Sequence, residues 1–213
     1  MQIATTVGLY LRVNKTGKNT THVNNQLNYI KSILNYSNNG FIEKGNNDKT
    51  AAVMVILTII DEQIEILFTH RTNTVSTHKD QVSFPGGLKE KKDNRLWQTA
   101  IRETEEEIGL KINKKEILGI LPTQKSISGF QIQPFVCFIE KLPDLKINYK
   151  EVKHTFTISL DWILNRKNWN YQVFKSSNRI ARQVVVYQNY KNEIVWGITG
   201  QILVSLAEIL LWQ

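Results

Sequence analysis

The whole chain holds one cysteine, so no intrachain disulfide can form and a reducing compartment is expected. Cys137 lies within the apolar run Phe135-Val136-Cys137-Phe138-Ile139 and reads as a small buried hydrophobe. No run approaches the ~20 apolar residues that a membrane-spanning helix needs. The first residues lack a basic segment followed by a long apolar stretch, and the C-terminal Leu211-Trp212-Gln213 is no address signal. The expectation is a cytoplasmic protein without a membrane partner. There is no internal repeat, and no low-complexity tract beyond an Asn-rich start. His70, His78 and His154 are scattered without metal-ligand spacing and are expected to be structural or exposed.

What the chain has in excess is positive charge. With 27 Lys and Arg against 19 Asp and Glu the formal net charge is +8, which favours anionic partners such as nucleotides. Nucleic acid is not expected, because no zinc-binding spacing and no aromatic-basic motif accompanies the charge.

The length suits one α/β domain with a terminal addition. Residues 1–45 form an N-terminal extension: 14–25 are rich in Asn, Thr and Lys, and Leu27, Ile30, Ile33 and Leu34 then follow helical spacing. That extension is expected to cover the site, to bridge a homodimer or to stay partly disordered. Asn38-Asn39-Gly40 and Gly45-Asn46-Asn47-Asp48 mark a loop, and residues 46–213 form the main domain. Residues 51–60 read as a buried strand with 63–69 as its hairpin partner across Asp61-Glu62. A helix over 96–108 presents Trp97, Ile101, Thr104 and Ile108 as its core stripe. Strands follow near 116–121, 132–140, 152–158 and 182–187, with a turn at Ser128-Gly129. Trp196 reads as a core residue. Ile202, Leu203, Leu206, Ile209 and Leu210 space out a closing amphipathic helix.

The chemistry concentrates on the 96–108 helix. At 3.6 residues per turn, Glu103, Glu106 and Glu107 fall within an arc of about 100°, on the side away from the apolar stripe. Like charges at these spacings repel by a few tenths of a kcal/mol per pair, so a positive partner is expected among them. Hard divalent cations with oxygen ligands, Mg²⁺ or Mn²⁺, are the natural candidates. Arg102 stands four residues before Glu106 and can fix its rotamer, Glu105 falls on another face, and Gly109 is placed to end the helix in the left-handed conformation. An isolated acidic run would ordinarily be a solvated face; its context argues otherwise.

That context is Gly86-Gly87 followed by Arg102-Glu103-Thr104-Glu105-Glu106-Glu107-Ile108-Gly109-Leu110, which resembles the Nudix box. Thr104 stands where an aliphatic residue is usual. The spacing is one residue longer, with Asp93 in place of the first glutamate. This longer form is similar to the coenzyme A pyrophosphatase branch, whose second signature is matched by Leu67-Phe68-Thr69-His70-Arg71-Thr72 and Gln81-Val82-Ser83-Phe84-Pro85-Gly86-Gly87. Ser76 replaces its second arginine and Asp80 its glycine. Ser128-Gly129-Phe130, Pro134, Glu151-Val152 and Trp196-Gly197-Ile198-Thr199 look like further landmarks of the branch in the same order.

The resemblance implies the Nudix fold, a mixed β-sheet sandwiched between α-helices, and metal-dependent hydrolysis of a diphosphate. Glu103, Glu106 and Glu107 would be metal ligands together with the backbone at Gly87. Glu106, Glu107, Arg102 and Glu151 would form the catalytic set, the general base being a box glutamate or Glu151. Arg71, Lys79 and Gly86 would lie against substrate phosphates. The substrate implied is coenzyme A or an acyl derivative, cut to 3′,5′-ADP and a 4′-phosphopantetheine. Three other readings stand beside it: hydrolysis of NADH, of ADP-ribose or an ADP-sugar, or of an oxidised nucleoside triphosphate. A nucleotide-sensing module without turnover is the reading from outside enzymology.

Overall fold

The computed structural model describes residues 20–37, 49–72, 80–126, 128–175 and 181–211. Its helices are α1 (Thr20–Ser37), α2 (Leu96–Ile108), α3 (Leu160–Leu164) and α4 (Gly197–Leu211). The strands are β1 (Thr50–Ile60), β2 (Gln63–Arg71), β3 (Val82–Ser83), β4 (Gly86–Leu88), β5 (Ile117–Ile120), β6 (Gln124–Lys125), β7 (Gln131–Ile139), β8 (Val152–Ser159), β9 (Trp169–Lys175) and β10 (Ala181–Tyr187).

β1 lies at the centre of a mixed sheet, antiparallel to β2 and β4 and parallel to β7. Its near-continuous apolar sequence follows from having both faces covered. Val55 and Leu57 enter one core, whereas Ala52, Met54 and Ile56 enter the other. On the first side, Val23, Leu27, Ile30 and Leu34 of α1 meet Ile202, Leu203, Leu206 and Leu210 of α4. On the second, Leu96, Ala100 and Ile108 of α2 share a core with Phe135 and the buried Cys137. This is the expected sheet between helices.

The β1–β2 hairpin turns at Asp61 and Glu62, both left-handed with φ 48° and 57°, as a two-residue turn matched to strand twist requires. The hairpin brings β2 alongside β1, and β2 in turn pairs with β3 and β8.

Four sequence expectations need correction. α1 begins at Thr20, inside the stretch read as loose, because Val23 also reaches the core. α4 is buried on most sides, being packed between β10 and other core elements, so its amphipathic reading was too narrow. β9 was not anticipated; it pairs with β10 in a hairpin whose Tyr171, Val173 and Phe174 are exposed, so no burial pattern marks it. Trp196 is 38% exposed instead of core, its ring stacked on Phe174 at 6.1 Å beside that hairpin.

Because Leu34 is fully buried against the α4 side of the core, Leu34→Ala should lower the unfolding free energy by about 2–4 kcal/mol. Denaturant titration followed by circular dichroism measures this. A loss under about 1 kcal/mol would mean that α1 is not part of the cooperative core.

Candidate active site

The site forms where β4 meets α2. Gly86 presses on β1: a Cβ there would fall within 2.6 Å of the Val53 Cα and collide with the Ala52 carbonyl. At Gly87 a Cβ would overlap the Glu103 carboxylate, so the missing side chain is the notch in which that carboxylate sits. Met54 N–H donates to the Pro85 carbonyl at 2.9 Å and holds the turn onto β1. At the far end of α2, Gly109 adopts φ 70° and closes the helix with N–H to the Glu105 carbonyl at 2.9 Å.

Arg102 is the hub. Its Nη1 donates to Glu103 Oε1 and to Glu106 Oε2, both at 2.8 Å, and its Nη2 to Asp93 Oδ2 at 2.9 Å and the Leu88 carbonyl at 3.0 Å. Asp93 is buried and also accepts from the Glu90 amide and the Thr99 hydroxyl, each at 3.0 Å. Burial alone would raise the Asp93 pKa, but the bonds from Arg102, Glu90 and Thr99 carry it below the usual carboxylate range. The same contacts with Asp93 and Glu103 hold Arg102 charged against its own burial. One guanidinium therefore fixes two box carboxylates and the loop that precedes the helix.

The carboxylates differ in environment. Glu106 is exposed, whereas Glu107 is 2% exposed. This corrects the helical-wheel reading, which placed all three on the side away from the core. The buried side of α2 runs through Leu96, Ala100, Thr104, Glu107 and Ile108, with Trp97 and Ile101 only flanking it. Arg71 Nη1 meets Glu107 Oε1 at 3.0 Å, while Glu107 Oε2 and Arg71 Nε are buried without a partner. Burial pushes the Glu107 carboxyl up to about 8; Arg71 opposes this, and the charges of Glu103 and Glu151 add to it. Glu103 is raised as well, by burial first, with Arg102 opposing and Glu106 and Glu151 adding.

Glu151 lies close enough to contribute to both shifts. It stands just before β8, where Asn148 Nδ2 donates to its Oε1 at 3.1 Å and its carbonyl accepts from Thr72 N–H at 2.9 Å. Asn148 N–H in turn donates to the Glu107 carbonyl at 2.9 Å, which anchors this loop on the end of α2.

The donor chemistry, though not a closed cage of oxygens, suits a hard divalent cation. It offers the unpartnered buried oxygen of Glu107, the Glu103 carboxylate seated over Gly87, and the solvent-facing Glu106, a donor set entirely of oxygen. Of the residues anticipated, Arg71, Gly86, Gly87, Arg102, Glu103, Glu106, Glu107 and Glu151 converge on this region; Lys79 lies outside the described residues, as does Ser76. Sequence reading gave no role to Asp93 or Thr99. The signal was present in Asp93, an acid nine residues before an arginine whose charge needs a buried partner.

The NUDIX domain family matches residues 48–173. A Nudix hydrolase NudL from Pectobacterium atrosepticum is 33% identical over 164 residues, covering 76% of this chain and 83% of the relative. A NudL from Photorhabdus laumondii is 31% identical over 163 residues, covering 76% and 86%. Among solved structures, a MutT/nudix family protein from Enterococcus faecalis aligns with TM-score 0.48 at 15% identity, covering 92% of this chain and 63% of that one.

The Glu107 environment sets a pH dependence. Its folded pKa, about 8, lies above the ordinary glutamate value, so between the two the native state holds a proton that the unfolded state has lost. Stability of the metal-stripped protein should therefore fall as pH rises from 5 to 8, by at most about 1.4 kcal/mol per unit from this group. Urea unfolding in chelator across that range should show the decline, and Glu107→Gln should flatten it. A wild-type curve as flat as the variant's would mean that Glu107 is ionised throughout, held by Arg71.

Proposed function

The chain belongs to the Nudix family, and from that premise we propose that it hydrolyses the diphosphate of coenzyme A or acyl-coenzyme A to 3′,5′-ADP and the (acyl-)4′-phosphopantetheine. Nudix hydrolases act on small nucleotide diphosphates with divalent metal ions, and the hydrolase reading fits the complete carboxylate set on α2. The choice of coenzyme A rests on the signature preceding β4. The observation that carries it is Asp80, which occupies the glycine position of that signature and yet adopts the left-handed conformation, φ 55°. Asp tolerates this region better than most residues, so this position has a left-handed backbone of the kind glycine readily adopts. Arg71, from the first half of the signature, contacts Glu107 and so ties the signature to the box.

In this reading Mg²⁺ or Mn²⁺ would be held by Glu103, Glu106 and Glu107 with the Gly87 carbonyl. Such an ion would polarise a phosphoryl oxygen and lower the pKa of the attacking water. The protein's own part is positional. Arg102 keeps Glu103 and Glu106 in register, and Asp93 keeps Arg102 from swinging away. Arg71 pairs with Glu107, and its remaining donors would bind the substrate phosphates; Gly86 would allow close approach of the backbone, and Lys79 would complete the substrate-binding set. Proton removal from water falls to Glu151 or to a box glutamate, Glu106 or Glu107. Glu151 is anchored by Asn148 and adds to the field at Glu103, which suits a base held beside the carboxylate cluster. The +8 charge of the chain suits a substrate with several phosphates.

Incubation of the purified chain with coenzyme A and Mg²⁺ or Mn²⁺, resolved by liquid chromatography, should yield 3′,5′-ADP. Glu106→Gln should reduce the rate by about 100-fold or more. NADH, ADP-ribose and 8-oxo-dGTP run in parallel as competing substrates. Cleavage of one of these with coenzyme A intact would move the substrate assignment to it, and survival of all four would favour a sensing role.

A further inference from the structure

A second cluster of ligand-type side chains lies one residue away from Arg71 on β2, on the opposite face of the strand. Ile64, Ile66 and Phe68 of β2 belong to the core shared with α1 and α4, whereas Leu67 belongs to the core shared with α2. His70 continues the first set. Its ring follows a ladder in which Phe68 stacks on Phe156 at 5.5 Å, Phe156 meets His154 at 6.0 Å and His154 meets His70 at 4.9 Å. Arg71 turns the other way, to Glu107.

His70 and His154 are direct register partners across the β2–β8 pair. Such partners on one face hold their Cβ atoms about 4.5–5.5 Å apart. The next pair is Arg71 with Val152, so Lys153 is the extra residue of a β-bulge. Glu193 arrives from 123 positions away, on a tight turn whose Lys191 and Asn192 are left-handed at φ 50° and 72°. Reciprocal backbone bonds between Tyr190 and Glu193 at 2.8 and 2.9 Å fix that turn. One ligand atom from each of His70, His154 and Glu193 lies within 4.8 Å of the others. Ligand bonds of about 2.0–2.1 Å around a tetrahedral ion would draw them to about 3.4 Å.

The hydrogen bonds in this cluster cannot all be satisfied by neutral rings. His154 Nε2 meets Glu193 Oε1 at 2.7 Å, His70 Nδ1 meets Glu193 Oε2 at 2.8 Å, and His70 Nε2 meets Asp80 Oδ1 at 2.9 Å. A neutral imidazole has one N–H, so one of the two His70 contacts would set a ring lone pair against a carboxylate oxygen. An ion at Nδ1 removes the conflict: Nδ1 and Glu193 become ligands, and Nε2–H donates to Asp80. That carboxylate–histidine–metal order is the usual way a ligating ring is oriented.

We propose that His70, His154 and Glu193 form a second cation site, separate from the α2 carboxylates, that takes a borderline transition ion of the Zn²⁺ type, with Asp80 orienting His70. Two imidazole nitrogens and one carboxylate suit Zn²⁺ over Mg²⁺, which prefers oxygen alone. His70 and Glu193 are largely buried, at 14% and 12% side-chain exposure, and His154 at 41% leaves the ion a way in. A bound ion would clamp the turn that leads into α4 onto the β2–β8 pair. The site therefore stabilises the fold.

The test is calorimetric titration of the full chain with ZnCl₂ in millimolar Mg²⁺, which fills the all-oxygen site. One equivalent should bind with submicromolar Kd in the wild type and equally in Glu106→Gln. His154→Ala, at a half-exposed position that circular dichroism will show to be folded, should weaken binding by about 100-fold, Glu193→Gln should do the same, and Asp80→Asn should cost about 10-fold. Co²⁺ as a second probe should give visible absorption bands of tetrahedral ligation in the wild type that His154→Ala loses. Zinc affinity that survives His154→Ala and Glu193→Gln but is lost in Glu106→Gln would place the ion on α2 and overturn the proposal. Absence of binding tighter than millimolar would overturn it as well.

Discussion

The Arg102–Asp93 pair is the constraint on which the active-site geometry depends. A helix that gathers Glu103, Glu106 and Glu107 on neighbouring positions is opposed by their mutual repulsion, and a guanidinium among them offsets it. Arg102 would be free to leave for solvent if it had only the helix carboxylates to hold it. Asp93 prevents this from a buried position, with its own lone pairs taken by the Thr99 hydroxyl and the Glu90 amide. The loop before α2 is thus folded around the arginine, and the Leu88 carbonyl adds a bond from the end of β4. Removing either partner would leave a charge without its counter-charge in a partly dry site, which is the costly way to break an ion pair.

The sheet decides how different the three glutamates become. Glu106 faces solvent at the edge of the Arg102 network, Glu103 sits in the notch over Gly87, and Glu107 is driven against β2, where Arg71 meets it. Three identical side chains on one helix therefore present a graded set, from one open to solvent to one that burial pulls toward its neutral form. Environment sets these roles, as the raised pKa values of Glu103 and Glu107 indicate.

Much of this was legible in the sequence wherever a local rule governs. The bounds of α2 follow from its apolar period and the Gly109 stop, the β1–β2 hairpin from two runs separated by two residues, and the Arg102–Glu106 pair from helical spacing. Legibility ended where the outcome depended on a distant segment. Glu107 was assigned to the outer side of α2 because Trp97 and Ile101 were taken as the core stripe; which side is buried is set by β1 and β7, and these meet Leu96 and Ala100. β9 carries no one-sided burial because its hairpin stands partly clear of the main body, and Trp196 is exposed beside it for the same reason. The histidines looked scattered since their spacing in sequence is not a helix or hairpin repeat. A strand register and a turn bring His70 and His154 together with Glu193, while His78 lies outside the described residues.

The β2–β8 pair shows how one departure from a family pattern is absorbed without damage and acquires a consequence. A glycine at position 80 would supply only a left-handed backbone. Asp80 supplies the same backbone, φ 55°, and adds a carboxylate that reaches His70 on the neighbouring strand. Successive residues of β2 point to opposite faces, so the strand sends Arg71 to the α2 carboxylates and His70 to the Glu193 turn, and the Lys153 bulge of β8 lies beside both. A change that reset this bulge would disturb both clusters at once. Any coupling between the α2 carboxylates and the Glu193 turn would thus run through β2 and needs no direct contact between the two clusters.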